Sequence, residues 1–578
     1  MAGTEIVVAS LLRHGVSTIF AYPGAVTMPL HQTLTHYRDK IRVLLPRHEQ
    51  GGGFAAQGYA RATGKLGVCM ATSGPGATNL ITSIADAKLD SVPMLIITGQ
   101  VTTSTIGYDG FQETPMTEIC RCITKHHYLV TRIEDLARTM DEAIFVATTG
   151  RPGPVLVDLP KDVLVSQCYP NFEEPRNLPG YHGQAPSASE EQLDALIAAV
   201  TDSRRPVLFA GGGIVAAQCE PELRKFVETT HVPVTTSLPA MAAFDRDHEL
   251  ALGMLGMHGT VTANRAVHHC DLLLAFGVRF SDRVTGKLSE FAKGARVIHV
   301  DIDPSEIDKV RHVNLGIVAD LKDTLTRLNE KMRGLAFDSH DSWLAEIDVW
   351  QQKYPLTWNQ ESPYILPEMA VHELWQATRE KNVIIATGVG QHQMWTAQFY
   401  HFSRPRTWIS SCGLGTMGFG LPAAMGVKIA RPDALVIDVD GDGSLQMNIQ
   451  ELATCHTENI PVKVMLLNNQ HLGMVMQWED RFHGANRGNT YLGCVSDPEA
   501  FGKGDGVSPA HRYPDYPGIA RCYGWSARSV TKKEELRDAI DEMINTDGPF
   551  LLEVNVPYRE HVLPMTPPGG TIDNVILK

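Results

Sequence analysis

Residues 441–470, "GDGSLQMNIQELATCHTENIPVKVMLLNNQ", decide the reading of the fold. They follow one short apolar run, "ALVIDV", and contain a second, "VKVMLL". Apolar runs of this length bounded by Gly, Asp or Asn read as buried strands. The intervening "NIQELATCHTENI" reads as a crossover helix, so the two strands are expected to lie parallel in one sheet. Parallel sheets bind ligands outside the carboxyl ends of their strands. Asp442 and Asn469 are therefore expected to emerge side by side, with Gly441 and Gly443 permitting tight turns and close approach of a ligand.

An Asp oxygen, an Asn oxygen and a neighbouring backbone carbonyl form a set of hard donors. Such a set suits Mg²⁺, its other octahedral positions being filled by water and by two phosphate oxygens of a diphosphate. A lone "GDG" is more often a plain turn after a strand. Its coupling to "NN", each part closing a strong strand, favours the metal reading.

Composition narrows the rest. Lys and Arg total 51 against 65 for Asp and Glu, a net charge of -14 with no basic block, which argues against nucleic acid as a partner. The ten cysteines are scattered without zinc-ligand spacing, consistent with reduced thiols in a cytoplasm-like compartment. No apolar stretch is long enough to span a bilayer. The opening "MAGTEIVVASLLRHGV" lacks the charged and apolar blocks of a signal peptide.

Away from the central stretch, strand-like runs alternate with helical ones in three series. The first contains "VSTIFAYPG", "KLGVCMATSGPG", "VPMLIITG" and "PVLVDLP"; the second "RPVLFAGGG", "DLLLAFGVRF" and "ARVIHVDIDP"; the third "NVIIATGVGQ", "ALVIDVDGDGS", "VKVMLLNN" and "FLLEVNV". This alternation marks βαβ units, so the fold class is α/β with three consecutive doubly wound parallel-sheet domains. The Pro-rich "CYPNFEEPRNLPGYHGQAPSASEEQ" reads as a linker, and the polar, Trp-containing "DSWLAEIDVWQQKYPLTWNQESPYILPE" leads to the third series. Residues 494–517 read as a surface loop or lid, and the tail 546–578 as either a lid over a site mouth or a disordered terminus.

The Asp442 and Asn469 pair resembles the thiamine diphosphate (ThDP) motif, and the resemblance implies Mg²⁺ held by Asp442, Asn469 and the backbone carbonyl of His471. A ThDP site also requires a carboxylate at the aminopyrimidine ring. "LLPRHEQGGGFAAQGYAR" offers Glu49, after a strand and at the start of a Gly-rich helix. Alone, such a Glu is more often a helix N-terminal carboxylate facing the dipole; beside the metal motif it resembles the ThDP-activating Glu. The family sets this residue in the first domain of one subunit against the third domain of another, which implies a homodimer or homotetramer with sites at the interface.

The segments "YPGAVTMPLHQ", "RHEQGG", "FQETPMTEICRCITKH", "GRPGPVLVDLPKD", "LGMLGMHGT", "FGVRFSDRVTGK", "HVDIDPSEI", "TGVGQHQMW", "GLGTMGFGLPAA" and "NNQHLGMVMQWEDRF" resemble, collinearly over most of the chain, the catalytic subunit of acetohydroxyacid synthase (acetolactate synthase). That resemblance implies a ThDP-binding fold with a Rossmann-like central domain. The pyrimidine-binding domain would cover 1–165, the FAD-binding domain 190–335 and the diphosphate- and Mg²⁺-binding domain 360–545, followed by the tail 546–578. The implied ThDP cradle is Val389, Gly390, Gln391, His392, Gly415, Met417, Gly443, Ser444, Gly473 and Met474. Met417 would be the apolar wedge, although core filling is the usual duty of a Met.

The implied FAD residues are Arg151, Gly211, Gly212, Gly213, Leu238, Leu255, Gly256, Met257, His258, Gly277, Arg279, Asp301, Ile302 and Asp320. Without the resemblance, "GGG" is no dinucleotide fingerprint and says only that a turn follows a strand. The resemblance also points to Arg283 as the clamp for the carboxylate of a second 2-ketoacid, a task a bidentate guanidinium suits, and to Trp478 against its alkyl group. On their own, Arg283 reads equally as a surface ion pair and Trp478 as core. Gly24, Phe111, Gln112 and Lys161 match other residues near the reaction centre.

The implied function is decarboxylation of pyruvate on ThDP and ligation of the two-carbon unit to a second pyruvate, giving acetolactate, or to 2-ketobutyrate, giving acetohydroxybutyrate. These products open branched-chain amino acid synthesis. A small regulatory subunit is an open partner, and the compartment is cytoplasm or an organelle matrix. The alternatives are another ThDP-dependent 2-ketoacid decarboxylase or oxidase, to which the His126 and His127 pair superficially corresponds, and an inactive scaffold relative.

Overall fold

The computed structural model of the chain describes residues 1–172, 178–181, 183, 185–496 and 513–578. Three six-stranded sheets follow one another. The first takes β1 (Thr18–Ala21), β2 (Arg42–Leu44), β3 (Gly67–Ala71), β4 (Met94–Gln100), β5 (His126–Leu129) and β6 (Pro154–Pro160) in the order β2-β1-β3-β4-β6-β5. The second takes β7 (Pro206–Ala210), β8 (Val234–Thr236), β9 (Ala251–Met254), β10 (Leu272–Phe276), β11 (Arg296–Asp301) and β12 (Leu315–Val318) in the order β12-β11-β10-β7-β8-β9. The third takes β13 (Val383–Thr387), β14 (Trp408–Ser410), β15 (Leu435–Gly441), β16 (Lys463–Asn468), β17 (Ser526–Val530) and β18 (Phe550–Asn555) in the order β14-β13-β15-β16-β18-β17.

Every strand pairing is parallel. The α/β class with three doubly wound domains is therefore the architecture of the chain. Helices cover both faces, so central strands such as β4 and β6 are buried along their whole length and read as apolar runs. The four strands not read from the sequence, β5, β9, β12 and β17, are all at sheet edges. Half-exposed edges such as "HHYL" carry no apolar run to betray them.

The first and third sheets share one strand order, β13 to β18 standing where β1 to β6 stand. Each sheet reverses its winding at one crevice: β1/β3, β7/β10 and β13/β15. Such switch points are where doubly wound sheets receive ligands.

Within the third sheet, Gly441 of β15 pairs with Leu467 of β16, so the two strands end together as expected. The crossover between them is not one helix. It breaks into Asp442–Gln446 and Glu451–Thr457 because the buried Asn448 donates to the Gly418 carbonyl (2.7 Å) instead of facing solvent from a continuous helix. The Trp-containing stretch likewise does more than connect. It forms helix Asp341–Lys353, whose Trp343, Ile347 and Trp350 are buried in the core of the central domain with Val207 and Leu273.

The tail is no disordered terminus. Val562 N donates to Gln477 Oε1 (2.8 Å), Thr566 N to the Met257 carbonyl (2.8 Å) and Lys287 N to the Gly570 carbonyl (2.9 Å), while Ile572 joins the central core. It straps the central domain to the third. The loop expected at 494–517 falls for the most part outside the described residues. No helix among the described residues is long and apolar enough to cross a membrane.

The first and third domains meet through helices Glu49–Thr63 and Gly420–Ala430. Their sequences, "EQGGGFAAQGYARAT" and "GLPAAMGVKIA", are poor in large side chains, which costs helix propensity but lets the backbones touch. A Cβ on Gly58 would overlap the Ala423 carbonyl, and one on Gly426 the Ala55 carbonyl. Gly426→Ala is therefore expected to destabilise the protein by about 3 kcal/mol, the upper end of the overpacking range, because backbone cannot rotate away. Gly294→Ala, which meets nothing within 4 Å, is the control and should stay within about 0.5 kcal/mol of wild type. Urea denaturation midpoints read both.

Candidate active site

The switch point of the third sheet gathers the metal candidates. Asp442 opens helix Asp442–Gln446 directly after β15 and is 3 % exposed. Its Oδ1 accepts from Gly443 N (3.0 Å), while the buried Oδ2 has no hydrogen-bond partner. Burial pushes this carboxyl up to about 7, against the pull of its backbone N–H donors. A buried, unpaired carboxylate oxygen is costly, and a divalent cation would satisfy it.

Asn469 supplies the second oxygen. Its Nδ2 donates to Gln391 Oε1 (3.3 Å) and its Oδ1 accepts from His471 N (3.0 Å), so the amide is oriented. Tyr516 Oη donates to the Asp442 carbonyl (3.0 Å) and tethers the turn. The donor set of carboxylate, amide and backbone carbonyl fits Mg²⁺, and no cluster of three His, Cys, Asp or Glu among the described residues competes for a metal.

The residues expected around ThDP assemble here. Ser444 Oγ accepts from Gly418 N (3.1 Å) and Val389 N (3.4 Å), joining the β15 and β13 ends. His392 Nε2 lies 3.3 Å from Asp440 Oδ1, and Gln391 Nε2 donates to Gln477 Oε1 (2.9 Å). Gly415 has φ +74°, a conformation that glycine adopts without strain. A Cβ on Gly443 would come within 3.4 Å of Met417 Cε, so Met417 stands over the same crevice. Met417 is half-buried and belongs to none of the hydrophobic cores, whereas Met474 packs on the core of the third domain.

A cavity of about 1330 Å³ opens where the three domains meet. Of the residues expected at FAD, all except Gly211 and Gly256 line it. Those two serve it from behind. Gly211 packs against Gly277 at the β7/β10 switch point, and Gly256 N donates to Asn264 Oδ1 (2.9 Å) beside the Arg283 carbonyl. Arg151 pairs with Glu306 (2.6 Å) and Asp303 (3.0 Å), which hold its guanidinium at the wall.

The same cavity reaches Val389, Gly390, Gly415, Met474, Arg283 and Trp478. The Arg283 guanidinium lies 5.9 Å from the Trp478 ring centroid. It is exposed and has no carboxylate partner among the described residues, which disposes of the surface ion-pair reading. Trp478 is half-buried and packs on Phe482, so it is not core.

Glu49 and its companions form a separate group, at the carboxyl ends of the first sheet. Glu49 is half-buried; Oε2 accepts from Asn79 Nδ2 (2.9 Å), and Oε1 lies 3.3 Å from where a Cβ on Gly76 would stand. Gly24 packs on Thr72 across the β1/β3 switch point, and Gln112, with φ +61°, packs on Gly74. Phe111 (90 % exposed) and Lys161 project from the same end into solvent. None of these residues lines the three-domain cavity.

The loop carrying Phe111 and Gln112 is pinned from below. Asp158 on β6 accepts from Thr98 Oγ1 (2.7 Å) and Gln100 Nε2 (3.1 Å), and Gln100 Nε2 also donates to the Thr114 carbonyl (2.7 Å). Glu113 accepts from Gly107 N and Gly110 N and closes the loop on itself.

Sequence reasoning missed the groups that hold each half-site from the other domain. Arg61 pairs with Asp86 (3.3 Å) and Asp90 (2.9 Å), all three largely buried. Asp86 accepts from the Ser411 hydroxyl and from Thr416 Oγ1 (2.8 Å), Asp90 from Cys412 N (2.9 Å), and Ser411 Oγ from Gly415 N (3.1 Å) and Thr416 N (2.9 Å). The loop bearing Gly415 and Met417 thus hangs on carboxylates of the first domain. Their partners lie more than 320 residues away in sequence, so no local motif announces them.

Three family models match the chain: "thiamine pyrophosphate enzyme, N-terminal TPP binding domain" over residues 1–119, the central domain of the same enzymes over 193–328, and their C-terminal TPP binding domain over 388–554. Fold, switch-point sites and these matches define a ThDP-dependent enzyme. Acetolactate synthase 3, chloroplastic, of Brassica napus is 52% identical over 578 residues, covering 99% of this chain and 86% of that protein. The chloroplastic acetolactate synthase of Arabidopsis thaliana is 52% identical over 99% of this chain and 84% of its own length, and acetolactate synthase 1, chloroplastic, of Zea mays is 52% identical over 100% and 88%. The chain belongs to the acetolactate synthase family, as a catalytic subunit of acetohydroxyacid synthase type.

Asp158 gives a pH test of the pinned loop. Burial raises its carboxyl from 3.8 to about 7, so between those values the folded state binds the extra proton and stability falls as pH rises. The stability of wild type minus that of Asp158→Asn should therefore decline from about pH 4 to about pH 7, by up to about 1.4 kcal/mol per pH unit, and stay flat above. Urea unfolding of both proteins from pH 4 to 8.5 measures the difference, in which any constant offset of the amide cancels.

Proposed function

We propose that the chain decarboxylates pyruvate and joins the two-carbon unit to pyruvate or 2-ketobutyrate, using ThDP, Mg²⁺ and FAD. The observation that carries the reading is the unpaired Arg283 guanidinium beside Trp478, on the cavity that Val389, Gly390 and Met474 of the ThDP cradle also line. Bound ThDP supplies the electron sink for loss of carbon dioxide and carries the two-carbon unit.

The chain's own residues do the rest. Asp442, Asn469 and the His471 carbonyl would hold Mg²⁺ and through it the diphosphate. Met417 would bear on the cofactor as an apolar wedge. Glu49 would exchange a proton at Oε1, the oxygen that Asn79 leaves free. Arg283 would receive the carboxylate of the second 2-ketoacid, with Trp478 against its alkyl group. The twelve lining residues of the FAD set would hold FAD, which takes no net redox part in this reaction.

Because Glu49 and the diphosphate half-site have no common neighbours within one chain, a dimer or tetramer would complete each site with Glu49 of a second copy. The exposed Phe111 and Tyr108 support that arrangement. The chloroplastic names of the relatives support an organelle matrix as compartment.

Product analysis tests the reading. Purified protein with ThDP, Mg²⁺, FAD and pyruvate should yield acetolactate, with acetohydroxybutyrate gaining when 2-ketobutyrate is added, and chelation should stop both. Arg283→Gln should lower kcat/KM for the ligation by about one to two orders of magnitude, the cost of a lost charge-assisted pair. Acetaldehyde as the sole wild-type product would replace the synthase by a decarboxylase.

A further inference from the structure

The turn between β2 and helix Glu49–Thr63 directs its backbone donors away from its own domain. Arg47 N donates to Glu451 Oε1 (3.0 Å) and Oε2 (3.2 Å), and His48 N to Oε1 (3.1 Å). Among the described residues neither N–H has another acceptor. Thr454 Oγ1 donates to Oε2 (2.7 Å), and Arg47 Nη2 to Thr457 Oγ1 (3.1 Å). Glu451 is 0 % exposed. A Cβ on Gly51 would stand 2.5 Å from its Oε1, so the helix after Glu49 is cut back to admit this carboxylate.

We propose that Glu451 is a positioning residue for Glu49: from the third domain it fixes the turn whose next residue is the activating carboxylate. The inference rests on the reading of Glu49 given above. Asn79 holds the tip of Glu49 from within the first domain, and Glu451 holds its root from outside. Without Glu451, two backbone N–H groups would be left unpaired at a buried interface, and the turn would move to satisfy them.

The shared strand order of the first and third sheets supports the assignment. The turn after β2 is held by the helix following β15, and the loop after β14 by Asp86 and Asp90 at the helix following β3. β2 and β14 are equivalent strands, as are β3 and β15. Each half-site is therefore held by the same element of the other domain, a carboxylate taking N–H and O–H donors of the partner's loop.

The test uses the full chain as Glu451→Ala, Glu451→Gln and Glu49→Gln. Hydrogen exchange of the protein without cofactor should show the Arg47 and His48 amides losing about tenfold or more of their protection in Glu451→Ala. The loaded variant should lose about a hundredfold in kcat, the cost of displacing a catalytic group by about 1 Å, with KM for ThDP and Mg²⁺ unchanged. Glu451→Gln keeps an acceptor at Oε1 and should restore both protection and most of kcat. Should Glu451→Ala not fold, Glu451→Asp, which draws the carboxylate back by one methylene, should show the same losses in smaller measure. Amides equally protected without the Glu451 carboxylate, or an unchanged kcat, would overturn the proposal. Full activity in Glu49→Gln would instead overturn the reading of Glu49, and the exchange data on the turn would stand apart from it.

Discussion

Backbone contact between helices Glu49–Thr63 and Gly420–Ala430 is the constraint on which the rest of the molecule depends. Two helices can approach this closely only where Cβ atoms are absent, and Gly58 and Gly426 lie where a methyl would strike the facing carbonyl. Once the helices touch, the loops at their amino ends are brought against the opposite domain. Those loops carry Glu49 on one side and Gly415 with Met417 on the other. Close packing therefore sets the separation at which Glu451, Asp86 and Asp90 can reach across.

The carboxylates turn that packing into placement. Interiors are dense and low in dielectric, so a buried carboxylate persists only where donors converge on it. Glu451 is supplied by two backbone N–H groups and one hydroxyl, and Asp86 by two hydroxyls and the Arg61 guanidinium. The pull of these donors opposes the burial that pushes both carboxyls up. Directional bonds of this kind fix loops more sharply than apolar contacts, which tolerate sliding.

Much of this was legible in the chain. The central strands declared themselves as apolar runs, and "GDG" with "NN" located the metal half-site, because both signals are local and stem from one βαβ unit. Arg283 and Trp478 could be named from resemblance, but their contact could not, since it joins two domains. The edge strands, the broken crossover at Asn448 and the ordered tail escaped the reading for one physical reason. Each is decided by a partner distant in sequence: a neighbouring strand, the Gly418 carbonyl, or the Met257 and Gly570 backbone.

The same distinction explains the glycines. In "EQGGGFAAQGYARAT" a propensity argument weighs against a helix, since each Gly costs about 1 kcal/mol relative to Ala. The helix nevertheless runs its full length, because Gly51 admits the Glu451 carboxylate, Gly53 faces the Ser83 side chain and Gly58 meets the Ala423 carbonyl. The local cost is offset by contacts that only a bare backbone can make. A sequence that violates its local preference at a buried helix thus points to a close approach, and here the approach is what brings two halves of a cofactor site under mutual control.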